Sequence, residues 1–231
     1  MKVGIMQPYF LPYIGYWQLI KSVDLFVVYD NIQYTKKGWF NRNRYLLNGK
    51  DATFSVYLKK DSDLLNVNKR FLSSEFCRKK LIASFQNAYS GAPFKSEILP
   101  MVGKIINCPC DNLFDYIYNS IKEICQYLKI QTTIVTSSTI NIDHSLKSEQ
   151  KVIAICKELQ ADTYINSISG IKLYSKQKFA LENIELKFIK SKPTSYTQFN
   201  DKFVEWLSVL DVMMFNSQKE IDKMLDEYEL L

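Results

Sequence analysis

Histidine is nearly missing from this chain: His144 is the only one among 231 residues. It falls in a turn ahead of a helix and reads as a bystander or cap-region residue. No recognised Ser-His-Asp set, Walker loop or GxGxxG run is present, so the mechanisms carried by those motifs are set aside. Cysteine is sparse and irregular, at Cys77, Cys108, Cys110, Cys125 and Cys156. An odd number without framework spacing does not describe a disulfide scaffold, and Cys108-Pro109-Cys110 lacks the second pair or clustered histidines of a zinc site. Free thiols in a reducing cytosol are expected, with no metal. No apolar run approaches the roughly 18 residues of a membrane span. No basic leader followed by an apolar stretch opens the sequence, so the expected location is cytoplasmic.

What is present suits a folded α/β protein. Hydrophobic residues make up 47% and charged residues 23%, close to globular usage. The net charge of +6 suits an anionic small ligand such as a nucleotide. Without a long basic run or a recognised motif it does not point to a dedicated nucleic-acid binder.

The hydrophobic pattern predicts a strand at 2–6, a proline-bracketed aromatic loop, a helix at 13–23 and a second buried strand at 24–30. Strand, helix and strand within thirty residues form a βαβ unit and imply a parallel sheet. A hairpin follows, with strands at 44–47 and 53–58 around Asn48-Gly49, a pair that tolerates the positive φ of a tight turn. Helices are predicted at 74–88, 95–106 and 111–128, the last capped by Asp111 and apolar along Leu113, Ile117, Ile121 and Ile124. Strands at 132–137, 163–165 and 185–189 then alternate with helices at 145–159 and 171–182. Two helices, 204–215 and 218–230, end the chain. The fold class expected is α/β, a Rossmann-like parallel sheet with a β-hairpin and a helical insertion at about 74–129, in one domain spanning 1–231.

Ligands of open parallel sheets bind beyond the carboxyl ends of the strands. Three segments should lie there. Residues 7–15 place Gln7 after the first strand, ahead of a helix N-terminus that can receive an anion. Residues 30–44 are the densest. Asp30, Gln33, Lys36, Lys37, Trp39, Asn41, Arg42, Asn43 and Arg44 crowd cations, amides and aromatics into fifteen positions, and guanidinium forks suit phosphate. The third segment, Ser167 to Gly170, brings Ser167, Ser169 and Gly170 to a strand-to-helix turn where backbone N–H groups can approach a phosphate or ribose. Gln7, Asp30, Gln33 and Asn41 are expected in one cleft facing that turn, with Trp39 outside the core. Asp211, flanked by apolar residues, must be paired or at a site if buried.

The stretches MQPYFLPYIGYW at 6–17, DNIQYTKKGWFNRNR at 30–44, ADTYINSISGIKLY at 161–174 and LSVLDVMMFNS at 207–217 resemble the WbqC-like protein family across nearly the whole chain. Members often carry His where this chain has Met6. They occur among genes for O-antigen and other surface polysaccharides, which implies a role in making or decorating sugars. More loosely, the first βαβ unit is similar to the nucleotide-binding start of adenylyl-transferring Rossmann-like folds, including pantothenate-synthetase-type ligases. Of their His-x-Gly-His signature only Gly15-Tyr16 remains.

These readings converge on an enzyme that transfers an acyl or aminoacyl group to a nucleotide-linked amino sugar. Lys36, Lys37, Arg42 and Arg44 would hold phosphates, Gln7, Asn41 or Asn43 would orient sugar or base, and Asp30 or Asp211 would act as general base. A non-catalytic nucleotide-sugar or glycan-assembly binding protein and an RNA-binding protein stay open as alternatives. The pattern specifies neither a cofactor nor an oligomeric state.

Overall fold

The computed structural model describes residues 1–199 and 202–231. The chain opens as strand β1 (Lys2–Met6), helix α1 (Ile14–Lys21) and strand β2 (Leu25–Val28). β1 and β2 pair in parallel, from Val3 opposite Leu25 to Met6 opposite Val28. Their side chains alternate between two apolar layers. Val3, Ile5 and Val27 enter one, while Phe26 and Val28 enter the other, the period of two that a pleated strand imposes.

The hairpin consists of β3 (Arg42–Leu47) and β4 (Lys50–Ser55). Asn48 and Gly49 turn it with φ of 51° and 72°, both in the left-handed region that a two-residue turn requires. This turn pairs Leu47 directly with Lys50, so the second strand begins earlier than the predicted residue 53. Three helices follow: α2 (Arg78–Ala88), α3 (Lys95–Ile106) and α4 (Leu113–Tyr127). Leu113, Ile117, Ile121 and Ile124 are all buried on α4, as their spacing requires. The cap of α4 is Asn112 rather than Asp111. The Asn112 carboxamide oxygen accepts from the N–H of Phe114 at 2.8 Å and of Asp115 at 3.3 Å, whereas Asp111 lies one residue outside the capping position.

The alternation then resumes with β5 (Thr133–Thr136), α5 (Ser148–Glu158), β6 (Thr163–Ser167), α6 (Lys176–Leu181) and β7 (Glu185–Ser191). α6 starts later than residue 171, because a 3-10 turn at Ile168–Gly170 follows β6 and Ile171 and Leu173 are exposed, with no apolar face to gain from helix. Helix α7 (Val209–Phe215) likewise starts later than residue 204. The Gln198 side chain bonds both the N–H and the C=O of Val204, and Trp206 has φ of 60°, so this segment is an irregular strap.

Beyond α8 (Gln218–Leu225) the predicted helix gives way to a strand, β8 (Tyr228–Leu230). The carbonyls of Met224 and Glu227 accept the buried Gln18 amide. That bond draws the tail onto the edge of β7, where antiparallel pairing satisfies backbone groups that helix would have left at a frayed end.

The sheet order is β5-β2-β1-β6-β7-β8, parallel except at β8. From β1 the chain steps outward through β2 to β5, then returns to the other side of β1 for β6 and β7. The direction reverses between β1 and β6, and at such a switch point the loops diverge to opposite faces and leave a crevice. α1, α4, α7, α8 and the hairpin cover one face of the sheet, while α5 and α6 cover the other.

Candidate ligand-binding site

A cavity of about 590 Å³ opens beside this crevice, within the volume typical of small-ligand sites. Its floor is the carboxyl ends of β6 and β7: Ser167, Ile168 and Ser169 on one, Lys190 to Thr194 on the other. Tyr13 and Ile14, at the start of α1, form one wall, and Tyr196 with the Phe203 to Leu207 strap forms the opposite wall.

Local sequence explains each side. The Tyr13 side chain does not cap α1, and while the Tyr16 N–H is taken by the Tyr13 carbonyl, the N–H groups of Ile14 and Gly15 are left for an anion. Gly15 is required there: a Cβ would sit 2.4 Å from the Tyr13 hydroxyl oxygen, and only its absence lets the Tyr13 ring fold over the helix start and reach Trp206, 5.6 Å between centroids. The Ser167 and Ser169 hydroxyls lie 2.6 Å apart. Ser191 donates to Gln18 at 2.6 Å, which ties the end of β7 to α1. The cavity is thus lined by aromatic faces, three serines, two lysines and the carboxylate of Glu205.

The basic segment is built differently. Arg42 and Arg44, two apart on β3, share one face, and their guanidinium carbons lie 5.3 and 5.9 Å from the centre of the Trp39 ring. Arg42 donates to the carbonyls of Lys37 and Gly38 and so fixes the loop. Arg44 donates to the Trp206 carbonyl at 3.0 Å and so fastens the hairpin to the cavity strap. Asn43 points to the opposite face, buried, with its amide on the carbonyls of Phe10 and Leu11. Trp39 is 40% exposed, outside the core. Lys37 is exposed, and Lys36 is paired with Asp63 at 3.0 Å.

The expected single cleft is divided. Ser167 and Ser169 line the cavity at the switch point, while Gly170 is buried and does not line it. Asn41 and Lys36 line a second hollow, together with residues 56–61 and Arg70. Asn41 accepts from the Tyr34 hydroxyl and donates to the Val56 carbonyl. Gln7, Asp30 and Gln33 line neither hollow. Gln7 accepts from Tyr9, and the exposed Gln33 donates to the Asp63 carbonyl.

Both candidate bases are buried and fully engaged. Asp30, at the end of β2, accepts from Ser137 Oγ at 2.8 Å, the Ser138 N–H at 2.9 Å and Asn68 at 2.8 Å. Burial raises its proton affinity, but these donors together outweigh it and hold the carboxyl below its usual range. Asp211 accepts from Tyr89 at 3.0 Å and from Tyr196 and Gln198 at 2.6 Å each. Here desolvation wins over the three donors and pushes the carboxyl up. Only Asp211 has a direct partner in the cavity wall, Tyr196. The sequence reading missed Lys190, Lys192, Tyr196, Phe203 and Trp206. The run Lys190-Ser191-Lys192-Pro193 after a predicted parallel strand was the legible signal for two of them.

Strand order and cavity together define a Rossmann-like α/β protein with a ligand-sized crevice at its switch point. The chain belongs to the WbqC-like protein family, whose model matches residues 7–223. It is also similar to Uncharacterized protein Rv1507c of Mycobacterium tuberculosis, with 26% identity over 218 residues, 93% of each chain. No solved structure matches it. Among the described residues, no helix is long and apolar enough to cross a membrane.

Proposed function

We propose that this protein acts on a nucleotide-linked sugar of surface-polysaccharide synthesis, transferring an acyl or aminoacyl group to a sugar amine. The observation that carries the reading is the cavity at the switch point, where α/β sheets bind nucleotide ligands. Tyr13, Tyr196, Phe203 and Trp206 offer flat faces to a base, Lys190 and Lys192 offer charge to phosphates, and Ser167 and Ser169 offer hydroxyls to a ribose or sugar. In the transfer itself the amine attacks the acyl carbonyl, the donor's leaving group departs and the amine proton is taken up. The Tyr196 hydroxyl, held by Asp211, is the group placed to relay that proton, and the raised proton affinity of Asp211 suits an acceptor.

One observation favours a binding role without catalysis: Asp30 and Asp211 both spend their oxygens on protein donors, and neither lines the cavity. The two readings separate by experiment. A thermal-shift screen should find a nucleotide sugar that stabilises the fold, by about 2.7 kcal/mol at a hundred times its dissociation constant. Lys192→Ala and Trp206→Ala should weaken that ligand. Mass spectrometry of the bound amino sugar incubated with acyl donors should then show acylated product, lost in Tyr196→Phe. Binding without product would leave the binding-only reading. Affinity only for RNA, falling steeply with salt, would remove both.

A further inference from the structure

Arg70 is a buried cation with no counter-charge among the described residues. It is 4% exposed, stacks on the Tyr34 ring at 4.7 Å and donates to the carbonyls of Ser62 at 2.9 Å and Lys59 at 3.4 Å. Its Nε–H is buried with no partner at all, and no carboxylate forms an ion pair with it among the described residues. Carbonyl dipoles only partly offset the desolvation of a guanidinium, and a buried charge left unpaired is strongly destabilising. Each terminal nitrogen also keeps a second N–H beyond the one given to a carbonyl.

This side chain lines the second hollow, a volume of about 640 Å³. Lys36, Lys59 and Lys60 line it as well, against the carboxylates of Asp61 and Glu75. Lys59 and Lys60 are exposed, positioned to close over a ligand from the rim. Lys36 is already paired with Asp63, so Arg70, Lys59 and Lys60 against Asp61 and Glu75 leave a surplus of one positive charge, which suits an anionic ligand.

We infer that this hollow is a phosphate-binding site, separate from the switch-point cavity, with Arg70 at its base and the Lys59-Lys60 pair at its rim. The ligand class is a small phosphate or pyrophosphate compound. The guanidinium supplies paired N–H donors of fixed geometry and the lysines supply movable charge.

Pyrophosphate and inorganic phosphate, titrated calorimetrically at fixed salt, test this directly. Wild-type protein should bind pyrophosphate. Lys59→Ala with Lys60→Ala, two exposed changes that leave folding intact, should weaken binding at least tenfold. Arg70→Lys keeps the charge but not the fork and should weaken it as well. Lys190→Ala with Lys192→Ala, in the other cavity, should leave the heat of this site in place. Wild-type affinity in both the Lys59/Lys60 and Arg70 variants would overturn the site, as would no binding at millimolar pyrophosphate. Preference for the dicarboxylate succinate would overturn its phosphate assignment. If Arg70→Lys does not fold, the Lys59/Lys60 variant decides alone. None of these outcomes depends on a nucleotide sugar binding at the switch point.

Discussion

Three donors converge on Asp211, and three on Asp30, in the packed interior of the same molecule. Replacing Asp211 with Ala strands two tyrosine hydroxyls and a glutamine amide, and at about 1–3 kcal/mol per abandoned buried group the loss should reach about 3 kcal/mol or more by urea unfolding. The Asn variants separate the two carboxylates by sign. Asp30 titrates below its ordinary value of 3.8 in the folded protein, so the stability it contributes is present above that value and fades as pH falls through the lowered one. Asp211 titrates above 3.8, so its contribution is complete below that value and fades as pH rises through the raised one. Between about pH 7 and pH 3 the deficit of Asp30→Asn relative to wild type should therefore shrink, and that of Asp211→Asn should grow. A common direction in both titrations would show that one of these environments has been misread.

At the scale of elements, the hairpin and α1 reach the switch-point cavity by different routes. Arg42 and Arg44 share the Trp39 ring, but only Arg44 bonds the strap that forms the cavity wall. Arg44→Ala should weaken the ligand bound there by about tenfold, roughly 1.4 kcal/mol, while Arg42→Ala, whose bonds end within its own loop, should change affinity little. Equal calorimetric losses in the two variants would mean that the strap is held by something other than Arg44. Gly15→Ala acts through the start of α1. The new methyl displaces the Tyr13 ring, a movable side chain, so binding should fall while the melting temperature shifts little. Gly49→Ala makes the contrast, since a left-handed φ at a non-glycine residue costs about 1–2 kcal/mol, and it should lower stability without reaching the cavity.

On the scale of the whole molecule, β8 covers the outer edge of β7, and its approach is set by Gln18, buried more than two hundred residues earlier in the chain. Removing residues 227–231 should uncover the backbone groups of β7 and leave the Gln18 amide short of a partner. Exposed strand edges recruit other strands, so the truncated chain should self-associate at concentrations where the full chain sediments as a smaller species. Unchanged sedimentation would show that α8 and the charged β7 residues guard the edge without β8.

Much of the architecture could be read directly from residue order. Alternating apolar runs marked β1, β2, β5, β6 and β7, the Asn48-Gly49 pair marked the hairpin, and the spacing of Leu113, Ile117, Ile121 and Ile124 marked the buried face of α4. Each of those signals is local, since pleat, turn and helix periods depend on neighbours a few residues away. The Arg42 and Arg44 partnership was legible for the same reason, because residues two apart on a strand share a face. Family membership was legible too, through continuous stretches such as residues 30–44. Long-range contacts decided the rest. That the tail ends in a strand depended on Gln18, and that residues 204–207 form a strap depended on Gln198. Whether Asp211 is a paired interior carboxylate depended on Tyr89 and on Tyr196 with Gln198 arriving from two separate segments. The division of the polar residues between two hollows was also beyond sequence, because each hollow is assembled from segments distant in the chain. Periodicity determines which residues turn inward; only the packed chain determines what they meet there.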